Sequence, residues 1–273
     1  MNFKRVWALT RKDLREFMKS KYVVSVIIGI PLLFAILFPF ATLMPMTQAN
    51  PQDFEGEEFG SFVENLFSKT VRGWDGLNNF GKTMVLMAYA MFVTVLLLPI
   101  IIPAVTASET VVGEKERKTI ESILASPMTE TEIVTAKILS SLLPSFLGTT
   151  IAAIGYMGIT DFILWKSDVG IILFPDFLSI VFVLIFGPLF STISVELMIM
   201  VSTKVKSVRD SYQIGSLIVL PLILLIAAEM FTFFFASYAT LFGGVAIMLI
   251  IIAALFKIAT AIFDREKVIT KMV

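Results

Sequence analysis

Apolar residues in this chain gather into runs far longer than a globular core needs. They cover residues 23–46, 84–106, 138–160, 177–201 and 214–262, and a helix crosses a hydrocarbon core in roughly 20 residues. The last run is too long for one crossing. Ser237, Tyr238, Thr240 and the Gly243-Gly244 pair are its turn signals, so it divides into spans at 214–236 and 241–262, with a short re-entrant hairpin between them left open. The pattern predicts a single-domain, all-α integral membrane protein with six transmembrane helices. Pro31, Pro39 and Pro45 are expected to kink the first span and Pro99 and Pro103 to break the second, while Gly187-Pro188 lies inside the fourth.

The segments between the runs are amphipathic rather than uniformly polar. In residues 1–22, Phe3, Val6, Trp7, Leu14, Phe17 and Met18 recur at helical spacing, with Lys4, Arg5, Arg11, Lys12, Arg15, Lys19 and Lys21 on or near the opposite side. This predicts a helix lying in the headgroup region. The apolar run that follows exceeds a signal-peptide core and lacks a clear small-x-small cleavage site, so it reads as a retained span. Residues 47–83 form the largest polar loop. Within it Phe59, Phe62, Val63, Leu66 and Phe67 repeat at helical intervals beside Glu57, Glu58 and Glu64, which predicts a second surface-lying helix.

Residues 107–137 are the only long charged passage between spans. Ile120, Ile123 and Leu124 fall on one helical face and Arg117, Lys118, Glu121 and Ser122 on the other, which predicts one stiff helix over residues 114–125. Pro127 stops it, because the residue before a proline avoids helical dihedrals. Thr129 and Glu132 then form a capping-box pair that opens the next helix.

Composition agrees with a membrane protein, since 57% of residues are hydrophobic. Net charge is zero, but its distribution sets a topology. Of 22 lysines and arginines, only Lys69, Arg72, Lys82 and Lys166 fall in the loops after spans one and three; the others fall in the alternate segments, apart from Lys257 towards the inner end of the last span. The positive-inside rule therefore places both termini and residues 107–137 in the cytoplasm, and 47–83 outside it. Trp7, Trp74 and Trp165 all sit near span ends, where indoles favour the interface. The chain has no cysteine and no histidine. Thiol nucleophiles, disulfides, imidazole bases and histidine or thiolate metal ligands are thereby excluded, and no metal or cofactor is expected. No internal repeat supports a carrier built from inverted halves.

Two further features bear on chemistry. Residues 76–83, Gly-Leu-Asn-Asn-Phe-Gly-Lys-Thr, match the phosphate-loop pattern G-x-x-x-x-G-K-[ST]. That pattern holds phosphate only where a strand leads into the loop; here a polar loop precedes it and a membrane span follows, so it reads as a coincidence. Glu196 and Glu229 fall within spans, where an ionised side chain costs about 2.5 to 3.5 kcal/mol on insertion scales, so both are candidates for a translocation path.

The charged passage with Thr119-Ile120-Glu121-Ser122-Ile123-Leu124-Ala125-Ser126-Pro127, then Glu132-Ile133 and Lys137, resembles the cytoplasmic loop of type-2 ABC transporter permeases. In that family the segment usually carries Gly-Thr, where this chain has Lys118-Thr119. Val205-Lys206-Ser207-Val208-Arg209 resembles the family's second cytoplasmic loop, and Ala261-Ile262-Phe263-Asp264-Arg265-Glu266-Lys267 its usual ending. The resemblance covers nearly the whole length. It implies a permease subunit, not itself an enzyme, in a prokaryotic plasma membrane, paired with a second permease and driven by a separate cytoplasmic ATPase, with export the favoured direction. On that reading Glu114, Arg117, Lys118, Thr119, Glu121, Ser122 and Leu124 form the coupling surface. No nucleic-acid partner is implied. The alternatives are an ion-coupled carrier using Glu196 or Glu229, and a membrane scaffold without transport.

Overall fold

The computed structural model describes all residues except 56–58, 168, 203–204, 206, 216, 218–219, 222, 225–237 and 263–273. Among the described residues the chain is helical throughout, with no strand. Helix α1 is Phe3–Phe17 and α2 is Lys21–Met46; α3 is Ser61–Thr70, and α4 (Asn79–Val95) leads into α5 (Leu98–Glu116). A five-residue helix, α6 (Ile120–Leu124), precedes α7 (Glu130–Lys166); α8 runs over Ser179–Ser202 and α9 over Tyr238–Ile262. Five of these helical stretches are long and apolar enough to cross a membrane: Lys21–Met46, Asn79–Glu116, Glu130–Lys166, Ser179–Ser202 and Phe242–Ile262. The expected span at 214–236, and any hairpin after it, lies mostly outside the described residues, although 208–215 are helical.

The expected second and third spans, 84–106 and 138–160, are shorter than the observed helices. Hydropathy ends where charge begins, but the helices continue through Glu109, Glu114 and Lys115 on one side and through Glu132 and Lys137 on the other, because these charges have intrachain partners. The expected break at Pro99 falls just ahead of it: α4 stops at Val95 and α5 starts at Leu98, which places the proline in the first turn of the new helix, where its missing N–H is harmless. Two other prolines have a different accommodation. A π-helical turn at Ser25–Gly29 precedes Pro31, and another at Phe182–Phe186 precedes Pro188. In each, the carbonyl four residues before the proline, Ile27 or Leu184, lies within the widened turn, which relieves its clash with the ring. Pro39, Pro45 and Pro144 remain within α-helix.

The chain forms two compact units. One comprises Met1–Gly29, Leu97–Gly148 and Ile185–Val273. Its core joins Val6 and Leu9 of α1, Ala107 and Val111 of α5, Ile120 of α6, Ile133 and Val134 of α7, and Val195, Met198 and Ile199 of α8. Ser194 of α8 donates to the Ile100 carbonyl (2.9 Å), next to the Pro99 carbonyl that lacks its N–H donor at Pro103.

The other unit comprises Ile30–Leu96 and Thr149–Leu184. Gly155 of α7 meets α2 so closely that a Cβ there would lie 2.8 Å from the Ala35 Cβ, the small-residue contact by which membrane helices approach. An aromatic chain runs from Trp74 to Phe67, Tyr89, Phe174 and Phe92, with successive ring centroids 5.0 to 5.5 Å apart. Helix α3, the surface helix expected in the loop, belongs to it through Phe67, which is buried.

This unit also contains the phosphate-loop match. The residues before it form a 3-10 turn, Trp74–Gly76, rather than a strand. Asn78 caps α4 by accepting from the Gly81 N–H (2.8 Å), which uses a donor that a phosphate would need. The Lys82 ammonium is 2.8 Å from Glu64 and 5.4 Å from the Trp74 ring centre, and the Trp74 indole N–H donates to the same carboxylate (2.7 Å). These residues tie α3 to α4.

Lys82, and then the Trp74 N–H, hold the Glu64 carboxyl below its usual range. An acid with a lowered pKa stabilises the fold above its unfolded value, and that contribution disappears as the pH falls through the folded value. Acidification from about pH 5 to about pH 3 should therefore loosen this tie. In a Trp7→Phe, Trp165→Phe background the emission of Trp74 should shift to the red over that interval, and Glu64→Gln should abolish the transition.

Candidate coupling site

The charged passage does not form the single helix expected over 114–125. Helix α5 ends at Glu116, and Lys118 takes a left-handed conformation, φ 56°. The Thr119 N–H donates to the Glu114 carbonyl (2.9 Å) and the Lys118 N–H to the Lys115 carbonyl (3.0 Å). These two bonds make a Schellman stop, whose left-handed residue is ordinarily glycine. The position where the resembling family favours glycine is thus the one whose backbone asks for it.

After that stop, α6 buries Ile120 and leaves Glu121 and Ser122 exposed; the Ser122 hydroxyl donates to the Thr119 carbonyl (2.7 Å). Lys118 and Thr119 are exposed as well. The side chain of Leu124 lies outside the described residues. Arg117 and Glu121 are consequently not neighbours on one helical face. Arg117 folds back along α5, pairing with Glu109 (2.5 Å) and donating to the Gly113 carbonyl (3.0 Å). Glu109 also lies 3.5 Å from the Tyr212 hydroxyl, and Glu116 accepts from the Val208 N–H (2.8 Å) at the start of the helical residues 208–215. Lys115 donates to the carbonyl of Ser202, the last residue of α8 (2.6 Å).

Glu114 belongs to the interior. Its side chain is 1% exposed, and its carboxylate lies 2.8 Å from the Lys137 ammonium, itself 1% exposed. Lys137 also bonds Asp13 of α1 at 3.0 Å, and Lys12 closes the group by bonding Glu114. The carboxylates of Asp13 and Glu114 and the ammonium groups of Lys12 and Lys137 thus join α1, α5 and α7, and Glu16 pairs with Lys12 at the edge of the group (3.2 Å). Burial raises the Asp13 carboxyl above its ordinary value, while the Lys137 ammonium acts against that rise. The carboxylates of Asp13, Glu16 and Glu114 lie within 4.8 Å of one another, as cation ligands would, but Lys12 and Lys137 already supply the positive charge.

Sequence reasoning missed Asp13, although a signal existed. Val6, Leu9, Thr10, Asp13 and Phe17 form the buried stripe of α1, and an acid on such a stripe calls for a buried counter-charge. The expected apolar face is in fact two faces. Val6 and Phe17 point into the protein, whereas Phe3, Trp7 and Met18 form an exposed stripe. Neighbouring residues hold the helix in place: Asn2 donates its N–H to Glu132 (2.5 Å) and Arg5 donates to the Pro127 carbonyl (2.6 Å). Glu132 meanwhile completes the expected capping box, accepting from the Thr129 N–H (3.1 Å) while the Thr129 hydroxyl accepts from its own N–H (3.3 Å).

Glu196 lies on α8, fully buried, and neither carboxylate oxygen meets a hydrogen-bond partner among the described residues. Glu229 lies outside the described residues. So do Lys206 and the chain ending from Phe263, both of which contributed to the resemblance.

A family model described as ABC-2 family transporter protein matches residues 7–242, from α1 into α9. The chain belongs to that family. Among curated proteins, none matches it. The permease is accordingly a multi-pass membrane transport subunit and not itself an ATPase. Its family-like residues have structural roles here: Glu132 caps α7, Ile133 is fully buried and Lys137 bridges two carboxylates.

Two outcomes are expected in purified protein. Lys137→Met leaves two buried carboxylates with Lys12 alone and should destabilise the fold by about 3 to 5 kcal/mol. Thermal unfolding would show this, together with faster thiol labelling of a Leu9→Cys reporter in an otherwise cysteine-free chain. Lys118→Gly relieves the left-handed residue and should stabilise by about 1 kcal/mol; Lys118→Val, branched at Cβ, should lower the unfolding midpoint instead.

Proposed function

We propose that this permease is the membrane subunit of an ATP-driven exporter whose energy comes from a separate cytoplasmic ATPase docking on α6. The observation that carries this reading is α6 itself, within a chain whose family is that of ABC-2 transporters. Its apolar side, Ile120, is buried in the permease core, and its polar residues Glu121 and Ser122 are exposed with Lys118 and Thr119 beside them. The positive-inside bias supports six spans with both termini and α6 in the cytoplasm of a prokaryotic cell, the spans lying in the plasma membrane. A second permease, identical or related, completes the transport path. Helix α9 suits that contact, because Phe242, Ile247 and Ile250 are exposed along it.

A second reading draws on Glu196. A buried carboxyl inside a span, without a hydrogen-bond partner among the described residues, is the feature expected of a coupling-ion site. On that reading transport would follow a proton or sodium gradient, and Glu196→Gln would abolish that dependence without an ATPase being needed.

The test of the first reading is Glu121→Lys, since Arg117 is committed to Glu109 within the chain. A desolvated interfacial charge whose partner is left unpaired costs about 2 to 5 kcal/mol. The variant should insert normally yet lose co-purification with the ATPase, or lose ATP-dependent transport in reconstituted vesicles, whereas Asn65→Lys on α3 should leave both intact. Full activity of Glu121→Lys would remove α6 from the coupling surface.

A further inference from the structure

The last turns of α2 and α7 line a groove of about 330 Å³ in the unit that contains the aromatic chain. Its walls include Phe40 and Met44 from α2, Phe80 from α4, and Phe162 and Ile163 from α7, with Lys166 the single charged side chain among the described residues. The groove is of the size that small ligands occupy. It lies where two spans end, at Met46 and Lys166, so it falls at a membrane–water boundary, and the exposed Trp165 beside it is the residue type that favours that depth.

The polar groups of this groove differ in what they can offer. The Thr47 hydroxyl donates to the Met44 carbonyl (2.8 Å) and the Ser167 hydroxyl to the Leu164 carbonyl (2.8 Å), so their protons are committed. The Lys166 ammonium lies 5.9 Å from the Phe162 ring centre, a contact that engages the charge and leaves N–H donors available. Among the described residues, no carboxylate lines the groove. The described residues thus place one cation at the edge of an apolar channel formed on two spans, with Phe40, Met44 and Phe162 exposed.

We propose that this groove is a binding site for an anionic membrane phospholipid. The headgroup phosphate sits on Lys166, and the glycerol and first methylenes lie against Phe40, Met44 and Phe162. A phospholipid is favoured because the exposed apolar walls belong to membrane spans, which acyl chains already contact. An anionic headgroup is favoured because the Lys166 ammonium keeps N–H donors available at the groove's edge, and among the described residues the lining holds no carboxylate for the ammonium of a zwitterionic one. The site is independent of the direction of transport and of the ATPase.

A lysine in the last turn of a helix also interacts favourably with the helix dipole, whatever lipid surrounds it. The experiment separates these roles. The full-length permease in mild detergent is incubated with phosphatidylglycerol or phosphatidylcholine, and retained lipid is counted by native mass spectrometry. Wild type should retain phosphatidylglycerol about tenfold better, as a charge-assisted contact would give. Lys166→Gln should abolish the preference. Met44→Trp, which fills the groove and keeps the charge, should reduce phosphatidylglycerol retention, and Lys69→Gln on α3 should not. Equal retention of the two lipids by wild type would overturn the proposal, as would a preference that survives either Lys166→Gln or Met44→Trp.

Discussion

A lysine buried between two carboxylates governs the order of the unit that carries α6. Lys137 cannot be buried as an ion without Asp13 and Glu114, nor they without it, since an unpaired charge in such a place costs several kcal/mol. Three chain segments far apart in sequence must therefore arrive together: α1 with Asp13, the end of α5 with Glu114 and the start of α7 with Lys137. Helix α1 is thus a structural member of this unit, with its second apolar stripe, Phe3, Trp7 and Met18, left exposed. Helix α6 follows α5 by only the Schellman stop, so its position depends on the same charge group.

Most of the helices were legible in the sequence because their signals are local. Apolar runs marked the membrane helices, the repeat of three phenylalanines with Val63 and Leu66 marked α3, and Thr129 with Glu132 marked the start of α7. What the sequence concealed depends on particular contacts, some across more than a hundred residues and some within two or three turns. Asp13 looks like one acid in a basic amphipathic segment until Lys137 is seen beside it. Arg117 appears to share a helical face with Glu121 until the left-handed Lys118 separates them and Glu109 takes up the guanidinium. Glu114 looks like a surface residue because its neighbours Lys115 and Glu116 are polar, yet it points inward. Of the residues expected to form a coupling surface, Glu114 and Arg117 belong to intrachain pairs, which leaves Lys118, Thr119, Glu121 and Ser122 outward.

Proline shows a similar division between what is readable and what is not. The sequence announces a perturbation at each proline, but its form depends on the turn that precedes it. Pro99 begins a helix, Pro31 and Pro188 follow π-helical turns, and Pro39, Pro45 and Pro144 are absorbed within α-helix. Pro31 and Pro188 each have a glycine one or two residues ahead, Gly29 and Gly187, and a glycine yields more readily to a widened backbone.

The pairing of Asp13 with Lys137 also bears on how the protein is made. The two residues are 124 positions apart, so Asp13 leaves the ribosome long before its counter-charge does. During that interval α1 has no buried site to occupy, and its exposed Phe3 and Trp7 can hold it at the membrane surface while the first two spans insert. Docking of α1 therefore waits for the third span, and the segment synthesised first is among the last in this unit to reach its place.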